Sequence, residues 1–73
     1  MSKQRINTIL VSKIANRIKQ LREEKGISQE IFFLDTDIHI ARIETGRSNI
    51  TVSTLLAICE YFNISLSEFF QEF

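Results

Sequence analysis

The segment SQEIFFLDTDIHIARIETG, residues 28–46, decides how this chain is read. Ser28 opens it as a helix cap, a short side-chain oxygen that accepts from the unpaired backbone N–H groups of a first turn. Glu30 follows in that turn, where a negative charge meets the positive end of the helix dipole. Ile31, Phe32 and Leu34 are the apolar content of this helix. Asp35, Thr36 and Asp37 then form a turn-and-cap cluster, because short oxygen-bearing side chains compete with helix interiors and serve helix starts. A further short helix is expected over residues 37–44, stopping before Gly46. At 100° per residue Ile40 and Ile43 fall together on an inward face, with Ile38, Ala41 and Arg42 opposite. A second short helix held rigidly across a first has the shape of a rod that fits the DNA major groove.

Helices are expected on both sides of this segment. Upstream, Ile6, Leu10, Ile14, Ile18 and Leu21 recur at spacings of three or four, one face of a helix. Its start lies at Asn7, a suitable cap, or somewhat to either side, as late as Ser12. Gly26 ends it, and Ile27 folds back as the apolar residue after the cap. Residues 1–7 carry no strong signal and are expected to form a loose arm. Downstream of the loop after Gly46, Thr51 caps a helix with Val52, Leu55, Leu56, Ile58, Cys59 and Phe62, apolar enough to be central. Asn63 ends it. Ser65 and Glu68 make a capping box that opens a last helix with Phe69, Phe70 and Phe73. The expectation is one all-α domain over residues 1–73, without repeat or linker.

Seventy-three residues support one small core. At this size folding buries only about 60% of the surface the unfolded chain exposes, so a partner copy would add stability. Proline is absent and the two glycines, Gly26 and Gly46, both stand where helices should stop. The formal net charge is zero, but it is unevenly laid out. Residues 1–27 hold seven Lys and Arg against two acids, a balance of +5, and residues 28–73 hold two Arg against seven acids, a balance of −5. A basic end can face phosphates while an acidic end faces away or meets a partner. Equally, the basic helix can be a solvated face with no ligand.

The lone Cys59 has no disulfide partner and sits among apolar neighbours, as a buried small side chain would. With His39 the only other soft ligand, no zinc site is expected. No cofactor is expected either. One histidine, one cysteine, no nucleophile–base motif and no glycine-rich phosphate loop leave nothing to assemble a reaction centre, so the chain is not read as an enzyme. The longest apolar run, residues 55–59, is far short of a membrane span, and no signal-peptide pattern is present. The default expectation is a cytoplasmic protein without membrane contact.

The order SQEIFFLDTD, ARIETG, loop and apolar helix ending YFNISLSEFF resembles the lambda-repressor/Cro-like helix-turn-helix family, also called the XRE family. The likeness covers roughly residues 11–70. Its most specific pieces are Ser-Gln-Glu at residues 28–30 and Arg-Ile-Glu-x-Gly at residues 42–46. The total length is similar to that of the family's small one-domain regulators, among them restriction–modification controllers; similar modules serve as antitoxins. The resemblance implies a compact five-helix fold with helices 2 and 3 as the helix-turn-helix. It also implies that Asp37, Ile38 and Arg42 occupy base-reading positions, and that Glu44 turns inward to Arg22.

The chemistry of these residues is compatible with that. Arg42 can take guanine O6 and N7 together, or be an ordinary exposed arginine. Ile38 can pack on a thymine methyl, or belong to the core. His39 sits at the helix flank, within reach of a phosphate or idle. Gln29 and Thr36 are placed at expected helix N-termini, where they can hold a phosphate or simply cap. Thr45 and Arg47 resemble the family's second phosphate clamp, which Ser48 and Asn49 can join. Asp37 can accept from a cytosine amino group.

The segment is about three residues shorter than is usual in the family, which costs one helical turn. Phe33 stands where the family usually has alanine, and Asp37 where it often has a turn glycine. The missing turn comes from the end of helix 2 or from the start of helix 3; the reading taken is a helix 2 clipped near Leu34, with Phe33 filling the space left. The leading function is a sequence-specific, DNA-binding homodimeric transcription regulator, paired through the C-terminal helix by Phe69, Phe70 and Phe73. The alternative is an antitoxin-like or other protein-interaction module whose shortened motif no longer binds DNA.

Overall fold

The computed structural model describes residues 7–71 and 73. Five helices follow one another: α1 (Thr8–Glu24), α2 (Gln29–Thr36), α3 (Ile40–Glu44), α4 (Val52–Tyr61) and α5 (Leu66–Phe69). Among the described residues there is no strand. Expectations for residues 1–6, including the arm and Ile6, lie outside the described residues.

Four of the five helix starts carry the cap expected of their sequence. Asn7 accepts from the N–H of Leu10, so it belongs to α1 and not to an arm. Ser28 accepts from Ile31, Thr51 from Thr54, and Ser65 from Glu68, whose carboxylate returns to the Ser65 N–H. The fifth start differs. His39 precedes α3 with no side-chain cap bond. Helix ends rely on left-handed residues: Gly26 after α1, Asp37 after α2, Gly46 after α3 and Asn63 after α4. Gly46 has φ +76°, and its Cα lies so close to α1 that an added Cβ would rest on Ser12 and Ala15. A side chain there would carry the left-handed penalty.

The core is formed by Ile14, Ile18 and Leu21 of α1, Phe32 of α2, Ile40 of α3, Leu55, Ile58, Cys59 and Phe62 around α4, and Phe69 of α5. Each such side chain contributes about 1.5–3 kcal/mol through burial. The buried face of α1 is Val11, Ile14, Ala15, Ile18 and Leu21, so it is turned from the expected one, and Leu10 is exposed. On α4, Val52 and Leu56 are exposed while Leu55, Ile58 and Cys59 are buried. Burial raises the Cys59 thiol pKa, with weaker opposing help from Arg17.

Phe69 is fully buried, which corrects the expectation that it belongs to an interface; only Phe70 and Phe73 remain exposed. The three rings form a cluster in which Phe69 is the inner member.

A second correction concerns the boundary between α2 and α3. Helix α2 is not clipped near Leu34 but runs through Thr36, and α3 begins only at Ile40, not at Asp37. The Thr36 hydroxyl donates to the Phe32 carbonyl and accepts from the Ile38 N–H, so one side chain ends α2 and braces the turn. Asp37 takes φ 61°, a conformation its short polar side chain tolerates better than most, and donates its N–H to Phe33. Three residues then suffice to reach α3.

Candidate nucleic-acid interface

Helix α3 is about 7.5 Å long at 1.5 Å per residue. So short a helix cannot hold itself in place, and its position comes from what grips its two ends. At the Gly46 end, Glu44 accepts from Arg22 Nε at 2.7 Å and Nη2 at 2.9 Å, and from Gln29 Nε2 at 2.9 Å. Arg22 also donates Nη1 to the Ile27 carbonyl. The two side chains are 11% and 4% exposed. The Arg22–Glu44 pair ties α1 to α3, as the resemblance implied, and Gln29 adds α2 to the junction. The hydrogen bond that Arg22 donates to Glu44 raises the Arg22 pKa above its ordinary value, against the opposing effect of burial.

At the other end the grip is aromatic. The half-buried Phe33 ring of α2 lies against the His39 imidazole, centroids 4.8 Å apart and planes 35° from parallel. Phe33 thus packs on the residue that precedes α3. Ile40 is buried, and Ile43 and Ile38 pack half-buried against the core. Ala41 and Arg42 face outward.

Two open concavities flank this outward face. Gln29, Glu30, Phe33, His39, Ile40, Ala41 and Arg42 line one. The other brings Asp37, Ile38, His39 and Arg42 together with Ser48, Asn49 and the start of α4. His39 and Arg42 belong to both.

Most of the expected site residues thus gather on one side of the molecule, in altered roles. Gln29 is committed to Glu44. Thr36 stands at the C-terminal end of α2, not at a helix start, and its hydroxyl is occupied locally. Asp37 caps α2 and is not the tip of α3. Ile38 is partly withdrawn into the core. The Thr45 hydroxyl donates to the Arg42 carbonyl at 2.6 Å and accepts from the Arg47 N–H, an arrangement that shapes the loop. Arg47 and Asn49 are exposed and Ser48 is half-buried. Sequence reasoning left Glu30, Phe33 and Ala41 out of the site; the substitution of Phe33 for the usual alanine was the available signal.

A family model described as helix-turn-helix matches residues 18–69, from the second half of α1 to the end of α5. The chain belongs to the Cro/C1-type helix-turn-helix family. Its five helices have the lambda-repressor-like arrangement, with α2 and α3 as the motif. Members of the family are DNA-binding transcription regulators, not enzymes, and this helix-turn-helix protein is such a regulator in that general sense. No curated protein and no solved structure matches the chain. No helix among the described residues is long and apolar enough to cross a membrane.

Proposed function

We propose that this protein is a single-domain, sequence-specific regulator that binds duplex DNA as a homodimer, with α3 at the major groove. The observation that carries the reading is the split between two charged residues of α3. Glu44, which phosphates would repel, is turned inward and neutralised by Arg22, whereas Arg42 is left outward between two open concavities. A guanidinium so placed suits the O6 and N7 edge of guanine. Arg47, Ser48, Asn49 and Thr45 follow α3 in a loop suited to the adjoining phosphates, which fixes orientation without reading sequence. His39 serves the flank between them.

Pairing of two copies would use Phe70 and Phe73 of the C-terminal segment, exposed rings stacked edge-on at 4.9 Å. It would set two α3 helices about 34 Å apart, one turn of the duplex. A cytoplasmic setting goes with that role.

Selection of bound duplexes from a random pool, followed by titration at two salt concentrations, tests the reading. The expected result is a pseudo-palindromic site whose binding constant falls with salt, by a slope of about −0.9 per neutralised phosphate. No selected sequence and no binding at low salt would overturn it, and co-purification with a protein partner instead would favour the interaction-module alternative.

A further inference from the structure

An aromatic surface stands at the start of α3. The Phe33 and His39 rings are in tilted contact, centroids 4.8 Å apart and planes 35° from parallel. They share an open concavity with the exposed Ala41 and Arg42. Phe33 is only half-buried, so part of its ring remains available. His39 makes no side-chain cap bond to α3, so its ring is oriented by this contact and not by a cap. Glu30 lines the same concavity. A carboxylate there turns phosphate away and leaves base edges as the fitting occupant. The major-groove edge of thymine carries the one apolar group among the bases, its 5-methyl, and aromatic or small apolar side chains suit it.

We infer that Phe33 is a specificity-determining DNA contact. With His39 beneath it and Ala41 beside it, it forms an apolar ledge that takes the methyl of a thymine adjacent to the guanine read by Arg42. This rests on the DNA-binding reading above and adds to it a residue and a base. The ledge substitutes for the direct-readout capacity that a longer α3 would have had, because five residues offer few outward side chains.

The test uses the full chain and the duplex selected from the random pool. Each thymine is replaced singly by deoxyuridine, which removes only the 5-methyl group and leaves the protein untouched. The guanine neighbour is identified as the position whose preference disappears in Arg42→Ala. Wild-type affinity should fall about three- to fivefold at the thymine beside that guanine, the effect of one methyl group losing its apolar contact. Phe33→Ala, checked for helicity, should bind thymine and deoxyuridine duplexes equally. A selected duplex insensitive to every deoxyuridine replacement would overturn the ledge while leaving DNA binding intact. So would an undiminished methyl effect in Phe33→Ala. Absence of any selected duplex would instead overturn the DNA reading, and the ledge with it.

Discussion

At the Gly46 end of α3, a nearly buried carboxylate receives three hydrogen bonds from two other helices. At the Ile40 end, the helix start has no side-chain cap and leans on an aromatic contact and a left-handed Asp37. The first end is fixed by directional, charge-assisted bonds. The second is fixed by apolar contact and one threonine hydroxyl. A short helix can thus start without a side-chain cap so long as its exit is clamped, since the clamp sets where Arg42 stands.

The hardest blow to that comparison is Glu44→Ala. It strands the Arg22 guanidinium and should cost about 3–5 kcal/mol, read from denaturant unfolding. Replacing both partners by apolar residues of similar volume should recover most of the loss, because no charge is then left buried. An unchanged unfolding midpoint in Glu44→Ala would remove the clamp from the account.

Arg42→Ala separates binding from folding. Exposed Arg42 should leave stability within about 0.5 kcal/mol. It should weaken DNA binding by about 1–3 kcal/mol and relax preference at one base pair. Loss of stability equal to the loss of binding would reassign it to packing.

Asp37→Val probes the entrance. A β-branched residue at φ 61° should cost about 1–2 kcal/mol, visible as a lower melting temperature. An unaffected melting temperature would mean that the turn does not depend on the left-handed residue.

The smallest effect lies far from α3, at the capping box of α5. Ser65→Ala should cost about 1 kcal/mol. The Glu68 pKa is lowered, first by the backbone N–H of Ser65 and then by its hydroxyl. Its contribution is therefore present above the ordinary carboxylate value and is lost as pH falls through the depressed folded value. Melts recorded between about pH 6 and pH 3 should show Ser65→Ala losing less than the wild type.

What the sequence made legible follows the same division. Asn7, Ser28, Thr51 and the Ser65–Glu68 box act on backbone groups three residues away, so their reading needs no tertiary knowledge. Arg22 and Glu44 came from resemblance, and the structure places them in contact. Where α2 ends and α3 begins was not readable. Thr36 and Asp37 are chemically suited both to starting a helix and to ending one, and only packing chose the second. Phe69, Phe70 and Phe73 were similarly ambiguous, since rings at and beyond the end of a four-residue helix give too little periodicity to say which points inward. Within the site, Arg42 kept its expected exposure, whereas Gln29 and Thr36 were diverted to intramolecular bonds that spacing does not reveal.

Tyr61 is the single tyrosine in a chain without tryptophan, and its hydroxyl donates to Asp35 at 2.6 Å, joining the end of α4 to the end of α2. A carboxylate in that position drains the excited phenol, so the folded molecule should fluoresce weakly and brighten when the two helix ends part. The protein thereby carries its own optical gauge, mounted one residue from the turn that distinguishes it.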